Sequence, residues 1–171
     1  MENLFSPWRS KYIASFADEA KSGHEAGCVL CAAVQSSDDE ESLVLYRGRE
    51  AFVIMNRYPY NSGHLMIVPV RHTADFQSLT RAEELACLDL IKVSARALAE
   101  LSKPQGFNIG MNLGRAAGAG IDDHLHWHIV PRWNGDTNFM PVLADVKIVS
   151  EDMRAQWRRL KDFFEREART P

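Results

Sequence analysis

The chain of 171 residues has no long hydrophobic run, no strong excess of either charge and only three cysteines. No apolar run approaches the roughly 18 to 20 residues that a membrane span needs, and the N-terminus mixes charged residues with its apolar ones. The 20 basic residues oppose 23 acidic ones, and a formal net charge of −3 argues against broad electrostatic binding to nucleic acid or to an anionic membrane. These absences predict a soluble cytoplasmic protein with neither partner.

The sequence has enough apolar residues, 46%, to build one hydrophobic core. We therefore expect a single domain over residues 1–171, with its core roughly between residues 28 and 133. Short β-rich runs separated by turn residues predict antiparallel strands at residues 43–46, 51–55, 64–70, 107–111 and 124–130. The acidic, serine-containing stretch 36–42 is typical of a solvated loop.

Two strong helices are expected. Thr80 followed three residues later by Glu83 is a capping-box signature, and Pro104 marks the end of the helix that it opens. The apolar positions that predict the buried face of this long central helix are Leu85, Leu88, Ile91, Ala95, Leu98 and Leu101. A C-terminal helix is expected over residues 150–168. A shorter N-terminal helix should begin near Ser6. The fold class is therefore α+β, with an antiparallel sheet backed by helices.

Three of the six histidines, His124, His126 and His128, alternate with apolar residues. On a strand, alternate side chains share one face, so one face would carry imidazoles and the other would join the core. Successive rings would be about 6.6 Å apart, too far to touch but well spaced to lie beside a phosphate chain. A structural strand gains little from such crowding, because each buried imidazole needs a partner and protonated rings repel one another. The pattern therefore indicates metal or proton chemistry.

Two chemical interpretations follow from these histidines alone. Alternate imidazoles on a strand can hold a catalytic zinc ion, which favours nitrogen ligands. Alternatively, one imidazole is a nucleophile and its neighbours assist it. The residues by themselves leave both open.

The chain resembles a known family at this point. The pattern His-φ-His-φ-His-φ-φ, with φ apolar, is the signature of the histidine-triad superfamily of nucleotide hydrolases and transferases, and residues 124–130 match all seven positions. Residues 52–69 look like the nucleoside-binding hairpin of that family, and residues 112–118 look like its phosphate-side loop. The resemblance covers roughly residues 28–133, and it implies the family's fold: an antiparallel sheet with a long central helix and a C-terminal helix.

The resemblance implies a role for each triad position. His126 would be the nucleophile that attacks the α-phosphorus of a nucleotide, giving a covalent nucleotidyl-histidine intermediate. His128 would contact the oxygens on which negative charge develops, and His124 completes the triad. The residues that the resemblance assigns to nucleotide binding are Asn56, Phe52, Ile54, Leu65, Asn112, Gly114, Gly118 and Gly120. Asn56 would bind the ribose, the apolar residues the base and the loop residues the phosphate.

The loop before the triad departs from the family pattern. Many relatives carry a glutamine and a hydroxyl residue there, whereas residues 117–123 of this chain contain neither and are one residue longer. Backbone amides would then have to replace these phosphate contacts.

The spacing Cys28-x-x-Cys31 supplies half of a tetrahedral zinc site. In zinc-containing relatives, the positions of His72 and His124 provide the other half, so the resemblance implies a closed, structural Cys2His2 site. Two reduced thiols without a metal are the alternative. No organic cofactor is expected.

The segments 3–9 and 133–141 look like the branch of diadenosine tetraphosphate phosphorylases and hydrolases. The resemblance therefore implies cleavage of dinucleoside polyphosphates, with phosphate or water as the acceptor, by a homodimer. A nucleoside phosphoramidase of the same superfamily and a zinc-centred hydrolase are the alternative activities, and a nucleotide-binding module without turnover is the non-enzymatic one.

Overall fold

A computed structural model describes residues 27–136 and 152–168 of the chain. The expected N-terminal helix near Ser6 and the tail segment 137–141 lie outside the described residues. No helix among the described residues combines the length and the apolar character that crossing a membrane requires.

Five strands form one antiparallel sheet with the order β1-β2-β3-β5-β4. Their bounds are β1 Val44–Arg47, β2 Ala51–Met55, β3 Leu65–Pro69, β4 Gly106–Met111 and β5 Trp127–Arg132. Every residue of β2 and β3 is buried. Their runs of apolar residues are therefore covered on both faces of the sheet. The expected antiparallel sheet is confirmed, but β5 begins at Trp127 and not at His124.

The described helices are α1 Val29–Gln35, α2 Asp39–Ser42, α3 Arg81–Ser102 and α4 Met153–Ala168. The capping box predicted for α3 is present, since Thr80 and Glu83 exchange side-chain-to-backbone hydrogen bonds. The helix ends before Lys103, which adopts a left-handed conformation with φ 46° ahead of Pro104.

The buried face of α3 differs from the predicted one. Leu85 and Leu88 are 43% and 48% exposed, whereas Cys87 and Ser94, which were not in the predicted stripe, are buried. Leu98 is buried, as its position in the stripe predicted. The prediction followed the spacing of apolar residues, but a helix buries whichever side faces the sheet, including small and polar residues. The predicted stripe was therefore rotated by part of a turn near the start of the helix.

The acidic stretch was expected to be a loop, and the structure corrects this prediction with the helical turn α2. The Asp38 side chain caps it by accepting a hydrogen bond from the Glu41 amide. Asp39 accepts hydrogen bonds from Arg47 on β1 at 2.7 Å and from Lys161 on α4 at 2.7 Å. Tertiary ion pairs thus order a segment whose local composition favours a loop.

Candidate active site

His126 is buried, with 4% of its surface exposed, and lies immediately before β5. Its Nδ1 lies 2.8 Å from the backbone oxygen of His124. A carbonyl can only accept, so Nδ1 carries the proton and Nε2 keeps its lone pair. Burial lowers the pKa of His126, although the bond to the carbonyl partly opposes this effect. The ring is therefore held neutral with one nucleophilic nitrogen.

His128 lies next to His126, and their ring centroids are 4.9 Å apart in an edge-to-face arrangement. The prediction that successive rings are too far apart to touch is therefore wrong for this pair. It assumed an extended strand throughout, but residue 126 precedes β5. Behind His128 lies His64, whose Nε2 is 2.9 Å from Nδ1 of His128. We call His64, His126 and His128 the histidine centre.

The ring of His124 belongs to a different group of side chains. Its Nε2 lies 2.9 Å from the Pro69 carbonyl oxygen, and its Nδ1 lies 3.2 Å from Sγ of Cys28. The expectation that all three triad rings share one face is corrected here, because residues 124–126 are not part of the regular strand. His124 contacts His126 through its backbone oxygen, and its side chain points to the two cysteines.

Cys28, Cys31, His72 and His124 form what we call the metal-ligand cluster. One ligand atom from each lies within 4.8 Å of all the others. Sγ of Cys31 is 3.4 Å from Nδ1 of His72 and 3.5 Å from Nδ1 of His124, and the two Nδ1 atoms are 3.3 Å apart. The sequence brought these four residues together only through the family resemblance. The structure joins them across 41 to 96 residues of chain.

The cluster fits zinc in donor type and in spacing. Zinc bonds of 2.0 to 2.3 Å give tetrahedron edges of about 3.3 to 3.8 Å between nitrogen and sulfur ligands. Four of the six edges between these ligand atoms are 3.2 to 3.5 Å long. Burial raises the pKa of the Cys28 thiol to about 11, so a bound cation is needed to stabilise its thiolate. The Pro69 carbonyl would orient His124 from behind.

A metal held by all three triad histidines is not supported by the described residues. The metal-ligand cluster is the one group of three or more potential ligands found in them, and it contains His124 but neither His126 nor His128. The two remaining rings instead hydrogen bond to a carbonyl and to another imidazole.

Asn56 is 9% exposed, and its amide already has two partners. Its Oδ1 accepts a hydrogen bond from the Tyr58 amide at 2.9 Å, and its Nδ2 lies 3.3 Å from Nδ1 of His64. The amide therefore contacts the histidine centre, at the position that the resemblance assigned to the ribose.

The three apolar residues assigned to the base lie in the core. Phe52 and Leu65 have no exposed surface and Ile54 is 6% exposed. Leu65 pairs with Ile129 on β5. Ile54 pairs with Met66, which in turn pairs with His128. Because paired residues share a sheet face, Leu65 lies on the face opposite His128. Phe52 pairs with Val68, so it lies on the same face as Ile54 and His128.

The phosphate-side loop makes a tight turn. Gly114 and Gly118 have φ values of 76° and 91°, which favour glycine. Nδ2 of Asn112 lies 3.5 Å from the Gly118 carbonyl and ties the two ends of the turn together. Gly120 is exposed at its far side. The predicted loop residues are thus close in space, and Asn112 also lines the cleft beside His128.

An open cleft of about 540 Å³ lies along β4 and β5. Its lining includes His128, Val130 and Arg132, which alternate along β5. Tyr60 lines it too, with its ring centroid 4.7 Å from that of His64 and 5.7 Å from that of His128. Neither Tyr60 nor Arg132 was predicted from the sequence. Continuing the period of two from His128 would have found Arg132, but no local signal indicates Tyr60.

Arg132 is anchored at the end of this cleft. It donates to both carboxylate oxygens of Asp136, at 2.6 and 2.7 Å, and to Oδ1 of Asn108 at 2.8 Å. Asn61 donates to the same Asp136 carboxylate at 2.8 Å. The guanidinium is therefore held in one position by a bidentate pair.

The family model for the HIT domain matches residues 37–135. An AP-4-A phosphorylase of Mycobacterium tuberculosis is 35% identical over 161 residues, which cover 94% of this chain and 83% of that protein. Among solved structures, a zinc-bound histidine triad family protein from Mycobacterium smegmatis has a TM-score of 0.66 and 25% identity, covering 85% of this chain and 98% of that one. A diadenosine triphosphate hydrolase of Plasmodium falciparum shares the fold, with a TM-score of 0.59 and 19% identity over 76% of this chain and 80% of that one.

Proposed function

This chain belongs to the histidine-triad family, and from that premise we propose that it cleaves dinucleoside polyphosphates at the α-phosphorus through a nucleotidyl-histidine intermediate. It is an enzyme of the nucleotide hydrolase and transferase type, as the domain match and the M. tuberculosis relative indicate. The name of that relative favours diadenosine tetraphosphate as substrate and phosphate as acceptor.

The observation that carries the proposal is the hydrogen bond from Nδ1 of His126 to the His124 carbonyl. It leaves the lone pair of Nε2 available without any proton transfer. This nitrogen attacks the α-phosphorus in line, forming a P–N bond as the P–O bond to the next phosphate breaks. The leaving polyphosphate keeps the electron pair of that bond. From diadenosine tetraphosphate it departs as ATP, and the adenylyl group stays on His126.

The second half of the reaction releases the nucleotide. An oxygen of inorganic phosphate attacks the α-phosphorus, the P–N bond breaks and ADP leaves, while His126 returns to its neutral form. With water as the acceptor, the same step gives AMP and a released proton. The proton stays on Nδ1 throughout, hydrogen-bonded to the His124 carbonyl, so the ring can carry a positive charge in the intermediate without being reoriented.

Negative charge on the phosphate oxygens needs positioned donors. We assign this role to His128, to the Asn112 side chain and to the loop amides around Gly114, Gly118 and Gly120. His128 and Asn112 line the same cleft, and glycines let the backbone approach an anion closely.

We propose that the ribose hydroxyls hydrogen bond to the Asn56 amide, which can form further hydrogen bonds. Its oxygen has a second lone pair and its nitrogen a second hydrogen beyond the two contacts described. The leaving polyphosphate and second nucleoside would lie in the cleft between Tyr60 and Arg132, which begins at His128.

We propose that the metal-ligand cluster holds a structural zinc ion through Cys28, Cys31, His72 and His124. When bound, the ion supplies four covalent ties and closes its own coordination shell, with no open position for substrate. These ties would fix the backbone at His124, whose carbonyl orients His126.

Product analysis with diadenosine tetraphosphate tests the proposal. The wild type should give ADP and ATP when phosphate is present, and His126→Asn should give neither. With an α-labelled substrate and a rapid alkaline quench, an adenylyl group should be trapped on the wild type alone. Leu85→Gln on the exposed side of α3 is the matched control and should keep full activity.

The other outcomes discriminate between activities. AMP and ATP regardless of phosphate would identify a hydrolase, and turnover of adenosine phosphoramidate alone would identify a phosphoramidase. Activity retained in His126→Asn but abolished at once by chelation would overturn the covalent mechanism in favour of zinc-centred hydrolysis.

We also propose a two-fold homodimer. Strand β4 is at one end of the sheet order, and Ile109 on it and Leu113 after it are 48% and 50% exposed. Apolar residues on an edge strand suit pairing with a second copy. Light scattering should give twice the chain mass for the wild type, and a lower mass for Ile109→Lys.

A further inference from the structure

We propose that Asn56 and His64 act as positioning residues that hold His128 in the tautomer with its proton on Nε2. They form a chain of hydrogen bonds that we call the relay: Asn56 to His64 to His128. The catalytic consequence rests on the function proposed above, but the tautomer itself does not.

The relay starts from the orientation of the Asn56 amide. The Tyr58 backbone N–H, which can only donate, lies 2.9 Å from Oδ1 of Asn56. This contact fixes which end of the amide is oxygen. The NH2 end therefore faces Nδ1 of His64 at 3.3 Å.

His64 Nδ1 receives a second donor. The Tyr60 backbone N–H lies 3.1 Å from the same nitrogen. Two donors converge on Nδ1, so this atom is an acceptor and carries no hydrogen. His64 is 1% exposed, and the neutral ring must then carry its proton on Nε2. That N–H points to Nδ1 of His128 at 2.9 Å.

The last step determines the state of His128. Its Nδ1 accepts the hydrogen bond from His64 and cannot carry a proton of its own without placing two hydrogens between the rings. The proton of a neutral His128 is therefore on Nε2. In the proposed reaction a donor at that atom can stabilise the charge on the phosphate oxygens, whereas the other tautomer would present a lone pair to them.

Each ring of the histidine centre is thus fixed by a different device. The His124 carbonyl leaves His126 with a lone pair on Nε2, and the relay leaves His128 with a hydrogen there. Neighbouring imidazoles of one chemical type therefore act as a nucleophile and a donor. The first partner is a backbone carbonyl within the triad pattern, and the second is a side chain 64 residues away from His128 in the chain.

The test is nuclear magnetic resonance of the zinc-loaded protein with isotope-labelled histidine rings at pH 7.5. Ring nitrogen and carbon shifts distinguish the two neutral tautomers. We expect the Nε2–H form for both His64 and His128 in the wild type. The Nδ1–H form of His128, or a doubly protonated ring, would overturn the relay, and this measurement needs no variant to fold.

Variants add the kinetic readout. In His64→Leu we expect mixed tautomers of His128 and a kcat lower by about 10- to 100-fold, with KM changed less than about threefold. His64→Gln keeps an N–H donor near the original Nε2 and should restore the His128 tautomer and most of the kcat. An unchanged tautomer in His64→Leu would contradict the proposal.

Leu160→Val is the stability control, because this core residue on α4 has no hydrogen bond to the relay. It should leave both tautomer and kcat unchanged. If the tautomers are as expected but no nucleotide is turned over, the proposed function fails and the relay stands. If turnover is normal but His128 has the other tautomer, the relay fails alone.

Discussion

The histidine centre and the metal-ligand cluster are both built from buried imidazoles, and both use the segment from His124 to His128. They differ in what the ring nitrogens face. In the centre each contact pairs one donor with one acceptor, as between His64 and His128. In the cluster the Nδ1 atoms of His72 and His124 converge on each other and on two sulfurs. Converging lone pairs need a cation, whereas a donor-to-acceptor chain fixes tautomers. The contacts of a histidine, and not its presence in a motif, thus indicate its chemistry.

The largest effect should come from the histidine centre. His126→Asn removes the nucleophilic nitrogen, so kcat for diadenosine tetraphosphate should fall about 10⁴-fold or more. The melting temperature should change little, because Asn can still donate to the His124 carbonyl. Calorimetric binding of AMP to the variant is the control, and it should remain measurable. A kcat within tenfold of the wild type would contradict this assignment.

Cluster variants should show the opposite pattern. Cys31→Ser should lower the bound zinc below one ion per chain and the melting temperature by about 10 °C. Activity should be lost in step with folding. Cys87→Ala is the matched control, since this buried thiol on α3 is not in the cluster, and its zinc content should equal that of the wild type. A stable, zinc-free Cys31→Ser protein would contradict a structural role.

The ion pair between Arg71, beside the metal-ligand cluster, and Glu83 on α3 should make the stability of the fold depend on pH. Arg71, next to His72, donates to Glu83 at 2.7 and 2.9 Å, and this contact lowers the pKa of Glu83 from 4.5 to about 2. A depressed pKa stabilises the folded state above pH 4.5, and this stabilisation is lost as the pH falls toward 2. Because Arg71 is half-exposed and solvent weakens the attraction, we expect the ion pair to contribute roughly 1 to 2 kcal/mol to the free energy of unfolding.

Urea unfolding of the wild type and Glu83→Gln measures this contribution. Glutamine retains the capping box but not the ion pair. The difference in unfolding free energy should be largest near pH 7 and shrink toward pH 3. Glu84→Gln, in an exposed pair with Arg81 at 3.3 Å, is the control and should have little effect at any pH. A pH-independent difference for Glu83→Gln would rule out the ion pair as its source.

The smallest effects are expected for variants of the two adjacent acids Asp122 and Asp123, and these effects should differ. Asp123 lies 4.0 Å from Nε2 of His72, whereas Asp122 bonds to Arg115 in the loop at 2.6 Å. Asp123→Asn should weaken zinc binding by a few-fold, up to about tenfold, in a chelator competition. Asp122→Asn should leave zinc affinity unchanged and alter only KM. An equal change of zinc affinity in the two variants would contradict the prediction that only Asp123 supports the metal-ligand cluster.

Much of the fold was predictable because its signals are local. Short β-rich runs between turn residues predicted the five strands, and Thr80 with Glu83 predicted the start of α3. The wrong predictions concern residues whose local structure or burial is decided by tertiary partners. Leu85 is exposed because α3 turns another side to the sheet, and Asp39 joins a helix because Arg47 and Lys161 bind it. Strand β5 starts late because the His124 ring bonds to the cysteines and the Leu125 amide donates to the Thr73 carbonyl.

The sequence by itself determined that three histidines, a cysteine pair and an antiparallel sheet occur together, since each is a pattern of near neighbours. Only the tertiary structure decided which atoms each ring contacts. His64 reaches His128 across 64 residues of chain, and Cys28 reaches His124 across 96. Hydrogen bonds and metal ligation depend on tenths of an ångström between atoms brought together by strand order, and no spacing along the chain encodes those distances.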